Sequence, residues 1–175
     1  MMRQLVRYDL TVCLHMNRIM QRYHPVRPFF ALVSRLGDGV FWYGLMAILP
    51  LLYGSAGLVA SIHMLVIAGL GVLVYAVIKK ATGRPRPYSV EDAITLGAPP
   101  LDQYSFPSGH TLHAVSLTLV AVHYFPALFW PLACFATLVA ASRVVLGLHY
   151  PTDVLCGATI GAGLAYGSLT LLAGG

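Results

Sequence analysis

The sequence predicts an all-α fold: an integral membrane helical bundle of five to six transmembrane helices, with an N-terminal amphipathic helix lying in the interface. Three observations carry this. Of the 175 residues, 58% are hydrophobic and only 10% are charged, with a mean hydropathy of +0.74, where soluble domains carry about a quarter charged residues. Apolar runs near the ~20 residues that a bilayer requires follow one another along the chain. The charged residues gather in the connections on one side of those runs. The length suits one domain, residues 1–175. A net charge of +5 spread over an apolar chain leaves no face for nucleic acid. An anionic lipid surface or a phosphate-bearing substrate fits better.

Residues 1–24 come first. At about 100° per residue, Arg3, Gln4, Arg7, Thr11, His15, Arg18 and Arg22 share one face. Leu5, Val12, Met16, Ile19, Met20 and Tyr23 share the other, with Asp9 as the misfit among them. This is the pattern of a basic helix lying in the membrane interface; a sixth span is the alternative. His24-Pro25 ends it. The segment has no uninterrupted apolar core, so no cleavable signal peptide is expected.

The spans follow. Residues 40–53 are apolar but short, so this span begins within 29–39; 57–78, 111–125, 127–147 and 152–173 complete five. Cys13, Cys134 and Cys156 lie far apart and match no metal spacing, and buried thiols are expected. The connections around 54–56 and Pro126, and the Gly174-Gly175 tail, are uncharged and fall on one side of five spans. All eleven Lys and Arg, and all six Asp and Glu, fall at the other. One end of the bundle is chemically active and one is blank. That asymmetry argues against a transporter, whose pathway needs polar groups through the whole depth. A phosphate-binding protein without turnover is the other alternative.

Three clusters occupy the active end. Lys79 and Arg86-Pro87 close one span, Phe106-Pro107-Ser108-Gly109-His110 enters the next, and Ser142-Arg143 leads through His149 to Asp153. The spacings K-x6-R-P, P-S-G-H and S-R-x5-H-x3-D, in this order, resemble the type-2 phosphatidic acid phosphatase family. The resemblance covers the motif-bearing core, residues 57–173.

The residues suit phosphoryl transfer, where catalysis is positioning and electrostatic stabilisation. Glu91 and Asp92 are adjacent on a loop and Asp102 stands apart, so no metal cluster is apparent; chemistry without metal or cofactor is expected. Lys79, Arg86 and Arg143 can take a metal's place on the phosphate oxygens. Ser108 reads as an N-cap, and the N–H groups of the helix opening at Gly109 would face the anion. Pro151 suits a helix start, which sets Asp153 to orient His149 as nucleophile and leaves His110 to protonate the leaving oxygen. The resemblance implies the same roles, with a phosphohistidine on His149.

Lys80 and Arg84 are expected to meet lipid headgroups. His113, His63 and His123 are read as packing residues, and Asp38 as part of a turn with an active-site contact as the alternative. The resemblance implies a lipid phosphate in a bacterial cytoplasmic membrane, undecaprenyl diphosphate favoured, with phosphatidylglycerophosphate or phosphatidate as alternatives. Gly109 departs from the P-S-D-H of the small undecaprenyl diphosphate phosphatases. Positive-inside counting places the site in the cytoplasm, the resemblance implies the outer face, and the side stays open.

Overall fold

The glycine at position 54 turns the longest apolar stretch into a hairpin. In the computed structural model, which describes residues 2–173, α3 (Phe41–Thr82) runs as one helix except at Gly54, where φ 58 and ψ −132 are accessible to glycine. The two limbs return against each other: a Cβ on Gly57 would lie 2.1 Å from the Leu49 carbonyl oxygen, and Ser61 Oγ donates to Met46 O at 2.8 Å. The expected spans 40–53 and 57–78 are these two limbs.

Ahead of them, α1 (Met2–Arg22) is followed by α2 (Val26–Arg35) and a wide turn of π type, Leu36–Val40, which leads directly into α3. A short α4 (Pro87–Val90) and an irregular stretch lead to α5 (Gly109–Tyr124). A single 3₁₀ turn, Pro126–Leu128, separates α5 from α6 (Phe129–Val145), and α7 (Pro151–Ala173) completes the bundle. The passages are the α2–first-limb segment, the second limb, α5, α6 and α7. The protein is therefore an all-helical, multi-pass membrane protein. Leu51, Trp130 and Leu171, each more than three-quarters exposed, belong to the lipid-facing surface. Cys13 is buried as expected; Cys134 is exposed and Cys156 half-buried, because both sit on outer faces of their helices.

Glycine also sets the tightest helix pair. A Cβ on Gly157 or Gly161 of α7 would stand 2.5 Å from Ser108 O or 2.4 Å from Leu112 O of α5. The two helices approach backbone to backbone, which joins the entrance of α5 to the first turns of α7.

α1 does not cross the bundle. Asp9 accepts from Thr152 N at the start of α7 (3.1 Å), Asn17 donates to Val145 O at the end of α6 (3.2 Å), and Gln21 donates to Ala93 O (3.3 Å). Its partners lie on one end of the bundle, so it lies across that end. Its buried stripe is Asp9, Cys13, Asn17 and Met20, turned from the expected apolar face because polar partners wait in the connections beneath. Tyr23, expected on the inner face, is exposed. The side chains of Arg3 and Leu5, and the Gly174-Gly175 tail, lie outside the described residues.

Candidate active site

The site is built where four helix ends meet. Gly83 caps α3 in the left-handed region (φ 57), its N–H returning to Lys79 O at 3.0 Å. The chain then runs extended through Arg86 (φ −82, ψ 154). This brings two cations of the first cluster onto one anion, the carboxylate of Asp102. Lys79 Nζ donates to its Oδ2 at 2.6 Å and Arg86 Nη2 to its Oδ1 at 2.8 Å. Lys79 and Arg86 are buried, whereas the Asp102 side chain is 37% exposed. Burial alone would raise the Asp102 carboxyl, but hydrogen bonds and charge from Lys79 and Arg86 outweigh it and hold it below its ordinary value.

The third cluster closes over the first. Gly147 (φ 72) turns the connection after α6, and His149 N donates to Arg143 O at 3.0 Å. The His149 ring is 1% exposed, with Nε2 3.2 Å from Arg86 Nη1. That nitrogen faces the cations and can only accept from the guanidinium. Nδ1 then carries the proton and faces Asp153 Oδ2 at 3.6 Å, longer than a hydrogen bond. It has no other partner among the described residues; contacts of this kind in active sites tighten when substrate binds. Burial, followed by the positive charges of Arg143 and Arg86, holds the His149 imidazole well below its ordinary value of 6.5.

The second cluster contributes the mouth of α5. Ser108 is the N-cap, as expected, and its hydroxyl bonds to Thr111 Oγ1 at 2.9 Å. Its own N–H is taken by Asp153 O at 3.0 Å and Leu112 N by Ser108 O. The Ser108 polar groups thus serve the scaffold, and the unpaired N–H groups of the first turn are those of Gly109 and His110. His110 Nε2 contacts Asp38 Oδ1. Asp38 reaches it because the π-type turn, with Gly39 at φ 126, presents it inward from Leu36–Val40. Arg143 Nη1 donates to Ser34 Oγ of α2, and its Nε has no partner among the described residues.

Lys79, Arg86, Asp102, Gly109, His110, Arg143 and His149 line one cavity of about 780 Å³. It continues away from the charges between the limbs of α3, along Trp42, Tyr43 and Met46 on one side and Leu65, Ala68, Gly69 and Val72 on the other. A charged head therefore opens into an apolar groove.

Arg84 does not fit its sequence expectation. Instead of meeting headgroups it bonds to Asp153 Oδ1 at 2.6 Å and Asp9 Oδ2 at 2.8 Å, with its guanidinium 4.0 Å from the Tyr150 ring centre. Of the carboxylates of this end, Asp9 and Asp102 were not among the expected site residues, while Asp38, read as part of a turn, makes the active-site contact that was its alternative. For Asp9 the signal was there, a lone charge on an apolar helix face. For Asp38 it was an acid between two glycines beside a span. Asp102 offered none. Lys80 is exposed yet belongs to the cavity lining beside Lys79, whereas Glu91 and Asp92 lie away from it.

Residues 57–173 match the model of the PAP2 superfamily. The chain is 34% identical over 85 residues to undecaprenyl-diphosphatase BcrC of Bacillus subtilis, covering 49% of this chain and 44% of that protein. It is 28% identical over 144 residues to an undecaprenyl-diphosphatase of Sulfolobus acidocaldarius, covering 79% of this chain and 67% of that one. Among solved structures it is similar to a transmembrane PAP2-type phosphatidylglycerolphosphate phosphatase from Bacillus subtilis, with a TM-score of 0.77 and 26% identity, covering 93% of this chain and 83% of that one.

Proposed function

Since the chain belongs to the PAP2 superfamily, we propose that it is a membrane lipid phosphatase acting through a phosphohistidine on His149, without metal or cofactor, with undecaprenyl diphosphate as favoured substrate. The observation that carries this is the cavity itself. Three buried cations, Lys79, Arg86 and Arg143, face the same space as His149 Nε2, and that space continues into an apolar groove between the limbs of α3. A lipid phosphate has this shape and polarity.

In this reading Nε2 attacks phosphorus in line with the leaving oxygen. The P–O bond breaks, and the leaving oxygen takes a proton from His110, whose ring Asp38 holds through Nε2. Charge on the equatorial oxygens meets Lys79, Arg86, Arg143 and the N–H groups of Gly109 and His110. Water, giving a proton back to His110, then attacks the phosphohistidine; the P–N bond breaks and phosphate leaves. Asp153 receives the Nδ1 proton's hydrogen bond throughout.

The names of the two undecaprenyl-diphosphatases support the substrate, and the bacterial relative supports a bacterial cytoplasmic membrane; residues 1–175 are read as one domain. The phosphatidylglycerolphosphate phosphatase supports a second reading, because its likeness extends over 93% of this chain. The test is phosphate release by detergent-purified protein from undecaprenyl diphosphate, phosphatidylglycerophosphate and phosphatidate, with and without excess chelator. The highest kcat/KM on undecaprenyl diphosphate, undiminished by chelator, is expected. Preference for a glycerophospholipid overturns the substrate, and loss on chelation restored by Mg²⁺ overturns the metal-free mechanism.

A further inference from the structure

Behind His149 lies a second, self-contained group of charges. Asp9 on α1 is 1% exposed and Asp153 on α7 is 0% exposed. Buried carboxylates without partners are costly, and here two of them share one guanidinium. The fork of Arg84 is divided between them, Nη1 on Asp153 Oδ1 at 2.6 Å and Nη2 on Asp9 Oδ2 at 2.8 Å. The Tyr150 ring holds its plane from one side.

Asp9 is itself anchored. It accepts from Thr152 N at 3.1 Å and from the Thr152 hydroxyl, which also receives Arg84 Nη1 at 2.9 Å. A carboxylate of one helix thus caps the first turn of another. Asp153, one residue on, has Oδ1 committed to Arg84 and Oδ2 to Tyr150 N at 2.9 Å. With both oxygens held, the carboxylate is fixed beside His149 Nδ1.

The same face of α1 touches the catalytic connection twice more. Cys13 Sγ approaches His149 O at 3.6 Å, and Asn17 donates to Val145 O. Asp9, Cys13 and Asn17 stand at i, i+4 and i+8, one stripe of a helix. The stripe lies outside residues 57–173, the part that matches the family model.

We infer that α1 is part of the catalytic scaffold, with Asp9 and Arg84 as positioning residues that hold Asp153 against His149. Resting on the reading of His149 as nucleophile, the inference has its own signature. The groups facing the His149–Asp153 pair are Asp9 and Cys13 from α1, Arg84 and Tyr150 from the connections, and Arg86, Lys79, Arg143 and His110 from the cavity side. Of the charged groups, Asp9 and Arg84 lie outside the phosphate clamp, and they carry opposite charges.

The acid limb of kcat/KM reports protonation of the pair in the free enzyme. Asp9→Asn removes a negative charge, favours proton loss and moves the limb to lower pH. Arg84→Gln removes a positive charge and moves it to higher pH. In both, kcat falls about tenfold or more, within the ~100-fold that a misplaced catalytic group costs, while KM stays within about twofold. Arg84→Lys keeps the charge and should leave the limb in place. The measurement is pH-resolved kinetics on a short-chain lipid phosphate in detergent, with His149→Ala alongside. Limbs that stay fixed or move in the same direction, with only thermal stability lost, overturn the inference while leaving the nucleophile standing. A turning-over His149→Ala overturns the nucleophile instead. Should Asp9→Asn not accumulate, Thr152→Val removes the hydroxyl that bonds both Asp9 and Arg84 without changing charge; a lower kcat with an unmoved limb is expected, and an unchanged kcat overturns the inference.

Discussion

The two ends of the bundle bury polar groups in opposite ways. At the blank end His63 bonds through Nδ1 to Tyr124 OH at 3.1 Å and through Nε2 to Ser168 Oγ at 2.9 Å, tying α3, α5 and α7 together. Ser61 likewise spends its hydroxyl on Met46 O and Gly57 O. These groups carry no formal charge and find their partners within the bundle. At the active end the buried groups include Lys79, Arg86 and Arg143, and both Arg143 Nε and His149 Nδ1 lack a partner among the described residues. Asp102, from a partly exposed loop, occupies Lys79 and Arg86 in the meantime. A closed neutral network holds helices together; an incompletely satisfied cluster of cations is a place kept for an anion.

The sharpest way to break this contrast is to remove one histidine from each end. His149→Ala should abolish turnover, a loss on the order of 10⁴-fold or more by analogy with nucleophile removal in other hydrolases. The acid-labile phosphoenzyme that the proposed mechanism expects of the wild type on a quenched gel should be missing from this variant. His63→Ala should keep kcat. Comparable losses from both would mean that the two ends are not functionally distinct.

Next in size are the clamp cations. Arg86→Lys keeps the charge and loses the fork, a cost of about 1–3 kcal/mol in kcat/KM. Lys80→Gln, at an exposed position six residues before Arg86, should cost at most about 1 kcal/mol. Equal losses would turn the clamp into a diffuse basic patch.

pH sharpens the same contrast. Burial and neighbouring cations favour the neutral His149 ring, and only the neutral ring can attack. The acid limb of kcat/KM should therefore lie below 6.5, the ordinary imidazole value. A limb at or above it would mean that the cations do not act on His149.

Asp102→Asn should have a smaller effect of opposite sign. It frees Lys79 and Arg86, so orthovanadate should inhibit more strongly, by a few-fold, since a half-exposed pair contributes only about 0–1 kcal/mol. The depressed carboxyl of Asp102 gives the direction: its ion pairs add stability above its ordinary range and lose it as pH falls through the lowered value. The difference between wild type and variant should accordingly shrink in acid. Weaker vanadate inhibition would mean that Asp102 orders the clamp instead of competing for it.

His63→Ala closes the series with a loss of stability alone. Two hydrogen bonds disappear, each contributing about 1 kcal/mol, and a drop of a few degrees in the detergent-solubilised Tm is expected by differential scanning fluorimetry. An unchanged Tm would leave the blank-end network without a structural role.

Much of this molecule was legible in its residues. Long apolar runs must satisfy their backbone within helices, so the passages follow from composition, and Gly54 marks the hairpin between two of them. Lys79, His110, Arg143 and His149 stand at or next to span ends, and short uncharged connections return those ends to one level. The cavity they line follows from that register. What only the tertiary structure decided is the partnering of charges that no local period relates. Asp9 looked like an error on an apolar face because helical periodicity describes a helix against a featureless medium. α1 in fact rests on connections rich in polar groups, which turns its buried stripe toward Asp9 and Asn17. Arg84, read as a headgroup anchor, points inward because Gly83 ends α3 in a left-handed turn, and side-chain direction beyond such a turn depends on backbone angles that spacing does not encode. Asp38 and Asp102 reach the cavity from a turn and a loop for the same reason. Repeating helical geometry carries a residue's environment along the chain; an irregular segment receives it from whatever packs beside it.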